Sequence, residues 1–132
     1  MLRVRVMLLA VFAIVLITAG CAANGKETKT IGANDAGKTV SLAVGDTLEV
    51  TLEGNPSTGF NWEAASLDTS ILKQIGEPAF TPVSTLIGAS GQLTLRFEAV
   101  GAGETTLNLI YHRSWETGVA PSKTFDVTVQ VE

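Results

Sequence analysis

At 132 residues the chain has room for one domain, and its nine Lys and Arg against thirteen Asp and Glu leave a formal net charge of −4. An acidic chain of this kind lacks the basic face that phosphate contact requires, so no nucleic-acid partner is expected. A single His and a single Cys supply neither an internal disulfide nor the four ligands of a structural zinc site, which leaves the fold to stand on its packed core.

In chain order, residues 1–5 carry Arg3 and Arg5, residues 6–17 are continuously apolar, and Thr18-Ala19-Gly20-Cys21 ends in the only cysteine. Residues 1–20 read as a secretory signal. The apolar run is short of the roughly 20 residues that a transmembrane helix needs. The tetrad resembles the lipobox of bacterial lipoproteins, with Thr18 where Leu is usual. That resemblance implies lipid on Cys21, an exported protein and attachment to the cell envelope, periplasmic or at the outer surface. It also accounts for an otherwise unpaired thiol in an oxidising compartment. Loss of the leader removes Arg3 and Arg5 and no acid, taking the formal charge from −4 to −6. Residues 21–29, with Gly25, Lys26, Glu27 and Lys29, are small and polar enough to serve as a tether.

From there the dominant signal is period-two alternation, which sends successive side chains to opposite faces of a strand. Val40, Leu42 and Val44 alternate with Thr39, Ser41 and Ala43; after Gly45-Asp46, Leu48, Val50 and Leu52 alternate with Thr and Glu. A loop, Asn55-Pro56-Ser57-Thr58-Gly59-Phe60, then leads to a strand with Phe60 and Trp62 on one side. Residues 66–82 are less regular. Ile71, Leu72 and Ile75 fit a short strand or one helical turn, and Glu77-Pro78 and Thr81-Pro82 interrupt it. A second loop, Leu86-Ile87-Gly88-Ala89-Ser90-Gly91, precedes Leu93, Leu95 and Phe97. Past the turn at Gly101-Ala102-Gly103, Leu107, Leu109 and Tyr111 face opposite to Asn108, Ile110 and His112. A third loop over residues 113–121 leads to Phe125, Val127, Val129 and Val131. About seven short strands separated by turn signals predict an all-β domain, an antiparallel β-sandwich over residues 30–132.

The first loop is stiff: Pro56 fixes its own φ and pushes Asn55 toward an extended conformation, while Gly59 is free to take a positive φ. Between them Ser57 and Thr58 are small and uncharged, which suits close contact with another surface. Serine hydrolysis would need a base near the hydroxyl, and His112, the one candidate, alternates with Tyr111 toward solvent or the outer sheet face. Asp and Glu are scattered, with no calcium loop and no evident carboxylate pair. No catalytic residue, metal or cofactor is therefore expected, and the chain does not read as an enzyme. Trp62 reads as core. Trp115, in a loop beside Arg113 and Glu116, fits either a lid over the end of the sandwich or a contact residue of the kind enriched at binding hot spots. An even number of passes between successive loops would bring all three to one end.

Together, Asn55-Pro56-Ser57-Thr58-Gly59-Phe60, Gly88-Ala89-Ser90-Gly91 and Tyr111-His112-Arg113-Ser114-Trp115 resemble, in order and spacing, the signature loops of the chagasin-type inhibitors of papain-like cysteine peptidases. The resemblance covers residues 28–132. It implies an immunoglobulin-like sandwich whose loops enter the active-site cleft of a papain-like cysteine peptidase. The first loop would lie over the catalytic cysteine as a wedge, with Thr58 beside the catalytic pair. The glycine loop would lie along the non-primed side, and Trp115 would contact the primed side. Carried over, the peptidase-binding residues are Asn55, Pro56, Ser57, Thr58, Gly59, Phe60, Gly88, Ala89, Ser90, Gly91, Arg113 and Trp115. Ser114 departs from the family's proline, a change that relaxes the third loop by about 0.4–1 kcal/mol of chain entropy. The expected molecule is a monomeric, reversible, competitive inhibitor. Two further readings stand beside it: an envelope-anchored module that binds another protein or glycan through the same loops, and an inert envelope lipoprotein in which Trp115 is buried.

Overall fold

Alternation builds nine strands in two sheets in the computed structural model, which describes residues 26–132. The leader at 1–20 and Cys21 lie outside the described residues. The strands are β1 (Thr28–Gly32), β2 (Thr39–Leu42), β3 (Thr47–Gly54), β4 (Asn61–Ser66), β5 (Leu72–Gln74), β6 (Ala79–Pro82), β7 (Gly91–Ala99), β8 (Gly103–His112) and β9 (Lys123–Val131). One sheet runs β1-β3-β7-β5, with β6 also on β7; the other runs β2-β9-β8-β4. The result is an immunoglobulin-like sandwich, as the resemblance implied.

Four details differ from the alternation pattern. The sandwich is not wholly antiparallel, because the edge strands β1 and β2 pair parallel to β3 and β9. Thr28 and Lys29, read as tether, belong to β1 and lie opposite Thr47 and Leu48. Residues 66–82 supply two strands along one edge of β7: β5 pairs with 97–99 and β6 with 91–94, interrupted at 75–78. There Gly76 takes φ 66° and Pro78 has no N–H to give a ladder. Val44 does not continue the buried row of Val40 and Leu42. Residues 43–46 form a turn in which Asp46 accepts from the Ala43 N–H at 2.9 Å, and Val44 stands exposed.

The inward rows close on each other between the sheets. Leu48, Val50, Leu93, Leu95 and Phe97 from one sheet meet Leu107, Leu109, Phe125, Val127 and Val129 from the other, and all are buried. Each such side chain contributes roughly 1.5–3 kcal/mol relative to exposure. Among the described residues no polar or charged residue is buried. The sandwich is thus a frame with an apolar interior whose polar side chains lie on its outer faces and at its poles.

Candidate functional site: three loops fastened at one pole

The strand directions bring the loops together. From the first loop the chain descends in β4 and returns along β5 and β6; from the second it descends in β7 and returns in β8. All three loops therefore emerge at the same pole, as the even count of passes required.

The first loop is a single 3-10 turn, Pro56–Thr58. Pro56 occupies the first position of that turn, where a missing N–H costs nothing. The Asn55 side-chain oxygen caps it by accepting from the Ser57 N–H at 3.2 Å and from the Ser57 hydroxyl. Gly59 closes the turn at φ 83° and donates to the Pro56 carbonyl at 2.9 Å. The Thr58 hydroxyl turns inward and donates to the Asn55 carbonyl at 2.6 Å. The same oxygen accepts from the Phe60 N–H at 3.5 Å, so at the exposed tip Thr58 presents chiefly its methyl group.

The base of this loop rests on two aromatic residues. The Tyr111 hydroxyl accepts from the Asn55 N–H at 3.0 Å, and Trp62 Nε1 donates to the Glu53 carbonyl, also at 3.0 Å. The indole bond runs from β4 across to β3 and so ties the two sheets beneath the loop. Phe60 stacks on Tyr111 with ring centroids 5.2 Å apart, and Trp62 lies 5.1 Å from Tyr111 on a tilted plane. The Arg113 guanidinium covers the Phe60 ring at 4.3 Å. Such contacts add about 0.5–1.5 kcal/mol each beyond burial.

Neighbouring loops then lock onto the first. Asn55 Nδ2 donates to the Gly88 carbonyl at 2.9 Å, joining the second loop. From the third, Arg113 Nε donates to the Thr58 carbonyl at 3.0 Å while Nη1 pairs with Glu116 Oε1, also at 3.0 Å. The Trp115 indole lies over Gly59, so closely that a Cβ on Gly59 would stand 2.2 Å from its ring.

Each residue expected at the site can now be placed. Asn55, Pro56, Ser57, Thr58, Gly59, Phe60, Gly88, Ala89, Ser90, Arg113 and Trp115 gather at the pole with at least part of their surface open. Gly91 is buried: it starts β7, and a Cβ there would lie 2.1 Å from the Thr81 carbonyl oxygen. Its place is structural, allowing β6 to approach. Arg113 spends its guanidinium on Thr58, Glu116 and Phe60. Trp115 is 66% exposed, contrary to the inert reading that required it buried. His112 lies on the outer face with Nε2 2.7 Å from Glu63 Oε2, away from the serine and threonine of the loop.

Sequence reasoning gave no role to Tyr111, whose inward alternation marked it only as core, nor to Glu116. It also passed over Val83, Leu86 and Ile87, all strongly exposed on or beside the second loop. Their signal was present, since an apolar cluster outside any alternating pattern and flanked by Ser and Gly has no core to enter.

A sandwich that presents three pre-fastened loops at one pole has the form of a binding module. The chain belongs to the chagasin family of peptidase inhibitors, whose family model (chagasin family peptidase inhibitor I42) matches residues 41–129. It is an inhibitor and not an enzyme. Chagasin of Trypanosoma cruzi is 33% identical over 95 residues, 69% of this chain and 86% of the relative. The cysteine protease inhibitor EhICP2 of Entamoeba histolytica superposes with TM-score 0.71 at 21% identity, covering 81% of this chain and 97% of that one. PbICP-C, solved in complex with falcipain-2, shares the fold at TM-score 0.50 and 19% identity, covering 80% and 99%.

Proposed function

We propose that this protein is a reversible, competitive inhibitor of papain-like cysteine peptidases, held at the cell envelope through lipid on Cys21, with residues 55–60 entering the active-site cleft between the second and third loops. The observation that carries the proposal is the fastening of the three loops to one another before any partner arrives: Asn55 to Gly88, Arg113 to Thr58, and Trp115 over Gly59. Blocking a cleft needs no reacting group. It needs a projection narrow enough to enter and rigid enough that little entropy is lost on entry.

The first loop meets both conditions. Ser57 and Thr58 at its tip are small, and their backbone is held in a turn, not the extended form in which a peptide crosses a cleft. The exposed Trp115 is the anchor beside it, and the apolar tip of the second loop supplies contact area on the other side. Three loops of this size can reach the standard interface of about 800 Å² per partner. The partner class is supported by the family membership and by the named complex of the related PbICP-C. The anchoring is supported by the Thr18-Ala19-Gly20-Cys21 pattern.

The test is titration of papain with a soluble protein spanning residues 26–132. Competitive inhibition below micromolar concentration is expected. A folded domain that leaves papain fully active at micromolar concentration would refute the assignment.

A further inference from the structure

We infer that the anchored protein holds its three loops away from the membrane and acts on a peptidase that arrives from the aqueous side. This rests on the proposed lipidation of Cys21 and adds an orientation to it. The described chain enters at the pole opposite the loops. Glu27 is the first firmly fastened residue: its N–H donates to Asp46 Oδ1 at 3.0 Å, and its carbonyl accepts from the Thr47 N–H at 2.8 Å. Lys26 lies 3.9 Å from Glu98. β1 then climbs in parallel register with β3, Thr28 opposite Thr47, so the entry point is level with the foot of β3. The same pole holds the Gly45-Asp46 turn, the turn at 100–102 and the C-terminal Glu132, whose carbonyl accepts from Val44 at 3.0 Å.

Distances exclude the inverted orientation, with the loop edge down on the bilayer. The eight residues of β3 and the ten of β8 separate the two poles by about 24–31 Å at the usual rise per strand residue. Six peptide steps lie between Cys21 and Glu27, a reach of at most about 22 Å even when fully extended. A domain inverted onto the membrane would place Glu27 at least a full strand length above the surface, farther than the tether can reach. Upright, the loop edge stands about 24–50 Å from the lipid, the lower figure with a collapsed tether. Two exposed valines, Val44 and Val100, sit on the membrane-facing pole with Lys26, whereas Trp115, Leu86 and Ile87 sit on the far one. The exposed apolar side chains of the loops are therefore kept for a protein partner and out of the bilayer.

The test couples a maleimide phospholipid to Cys21, the only cysteine, in a protein spanning residues 21–132, and binds it to phosphatidylcholine vesicles. Inhibition of papain by the vesicle-bound form is expected to match that of the soluble domain within about threefold, consistent with an unobstructed edge. In a Trp62→Phe background, Trp115 fluorescence is expected to be quenched by aqueous acrylamide and untouched by doxyl-labelled lipids. Quenching by the doxyl lipids, or inhibition weakened more than tenfold on vesicles, overturns the orientation. Papain left active by both forms refutes the inhibitor assignment instead, and the quenching still reads the orientation. Mass spectrometry of the native membrane-extracted protein tests the premise: an unmodified Cys21 overturns the anchoring and the inference with it.

Discussion

The first and third loops lie side by side at one pole, yet they are held by different means. Residues 55–60 are tied internally by the Asn55 cap and the Thr58 hydroxyl, from below by Tyr111, and from both flanks by Gly88 and Arg113. Residues 113–121 are held at their start alone, by Arg113 and by the Glu116 N–H donating to the Arg113 carbonyl at 3.1 Å. Ser114 stands there in place of a proline, and Gly118 takes φ 73° with open space around it. A wedge that must fit a narrow slot gains from being fixed in advance. In the proposed role, an anchor such as Trp115 would draw its affinity from the area it covers, and some freedom would cost it less. Strength of bracing therefore follows the tolerance of each contact.

Substitutions can break this contrast, the largest effect first. Gly59→Ala forces a side chain into positive φ and into the Trp115 ring, disturbing both loops at once. We expect a loss of about 3 kcal/mol in papain affinity, on the scale of a hot-spot deletion, with the fold retained by circular dichroism. Trp115→Ala should cost about 2 kcal/mol in affinity and leave the thermal midpoint unchanged, because the ring is exposed. Tyr111→Phe removes the acceptor for the Asn55 N–H and should lower stability by about 1–2 kcal/mol, with inhibition weakened to a similar degree. An effect on stability alone would show that the wedge does not depend on its base. Ser114→Pro sharpens the comparison in the opposite direction. The Ser114 N–H is not among the donors that fasten the loop, and a tightening of about 0.4–1 kcal/mol is expected.

The smallest effect lies at the far pole and is one of pH. Hydrogen bonds from the Ala43 N–H first, and the Glu27 N–H second, hold the Asp46 carboxyl below its ordinary value. A carboxyl depressed on folding contributes stability that is present above its unfolded pKa of about 3.9 and is lost as pH falls through the folded value. Hydrogen exchange at Glu27 and Ala43 should therefore become less protected in acid, below about pH 4, and Asp46→Asn should abolish that dependence.

Much of this was legible in the sequence because period-two alternation is a local signal. The rows Leu48-Val50-Leu52, Leu107-Leu109-Tyr111 and Phe125-Val127-Val129-Val131 appear in the structure as buried faces. So were the three loops, whose Pro, Gly and polar residues stand outside any row. What escaped depends on partners distant in sequence. β1 and β2 are short edge strands whose parallel pairing is set by β3 and β9. β5 and β6 are individually too short to alternate visibly and exist because β7 offers one continuous edge. At the site, Tyr111 reads as one more inward residue until its hydroxyl is found beneath Asn55. Gly91 reads as part of the second loop until β6 is found lying against it. The Arg113 guanidinium, equally suited by composition to a partner's carboxylate, is spent within the molecule.

The central claim is that a wedge fastened in advance blocks a cysteine peptidase cleft. Its most direct test is a side-by-side titration of papain with the soluble domain and with the Gly59→Ala variant, with both confirmed folded. The account predicts competitive inhibition by the first and about a hundredfold weaker inhibition by the second, the same 3 kcal/mol expressed as a ratio. Equal inhibition by both proteins would contradict it.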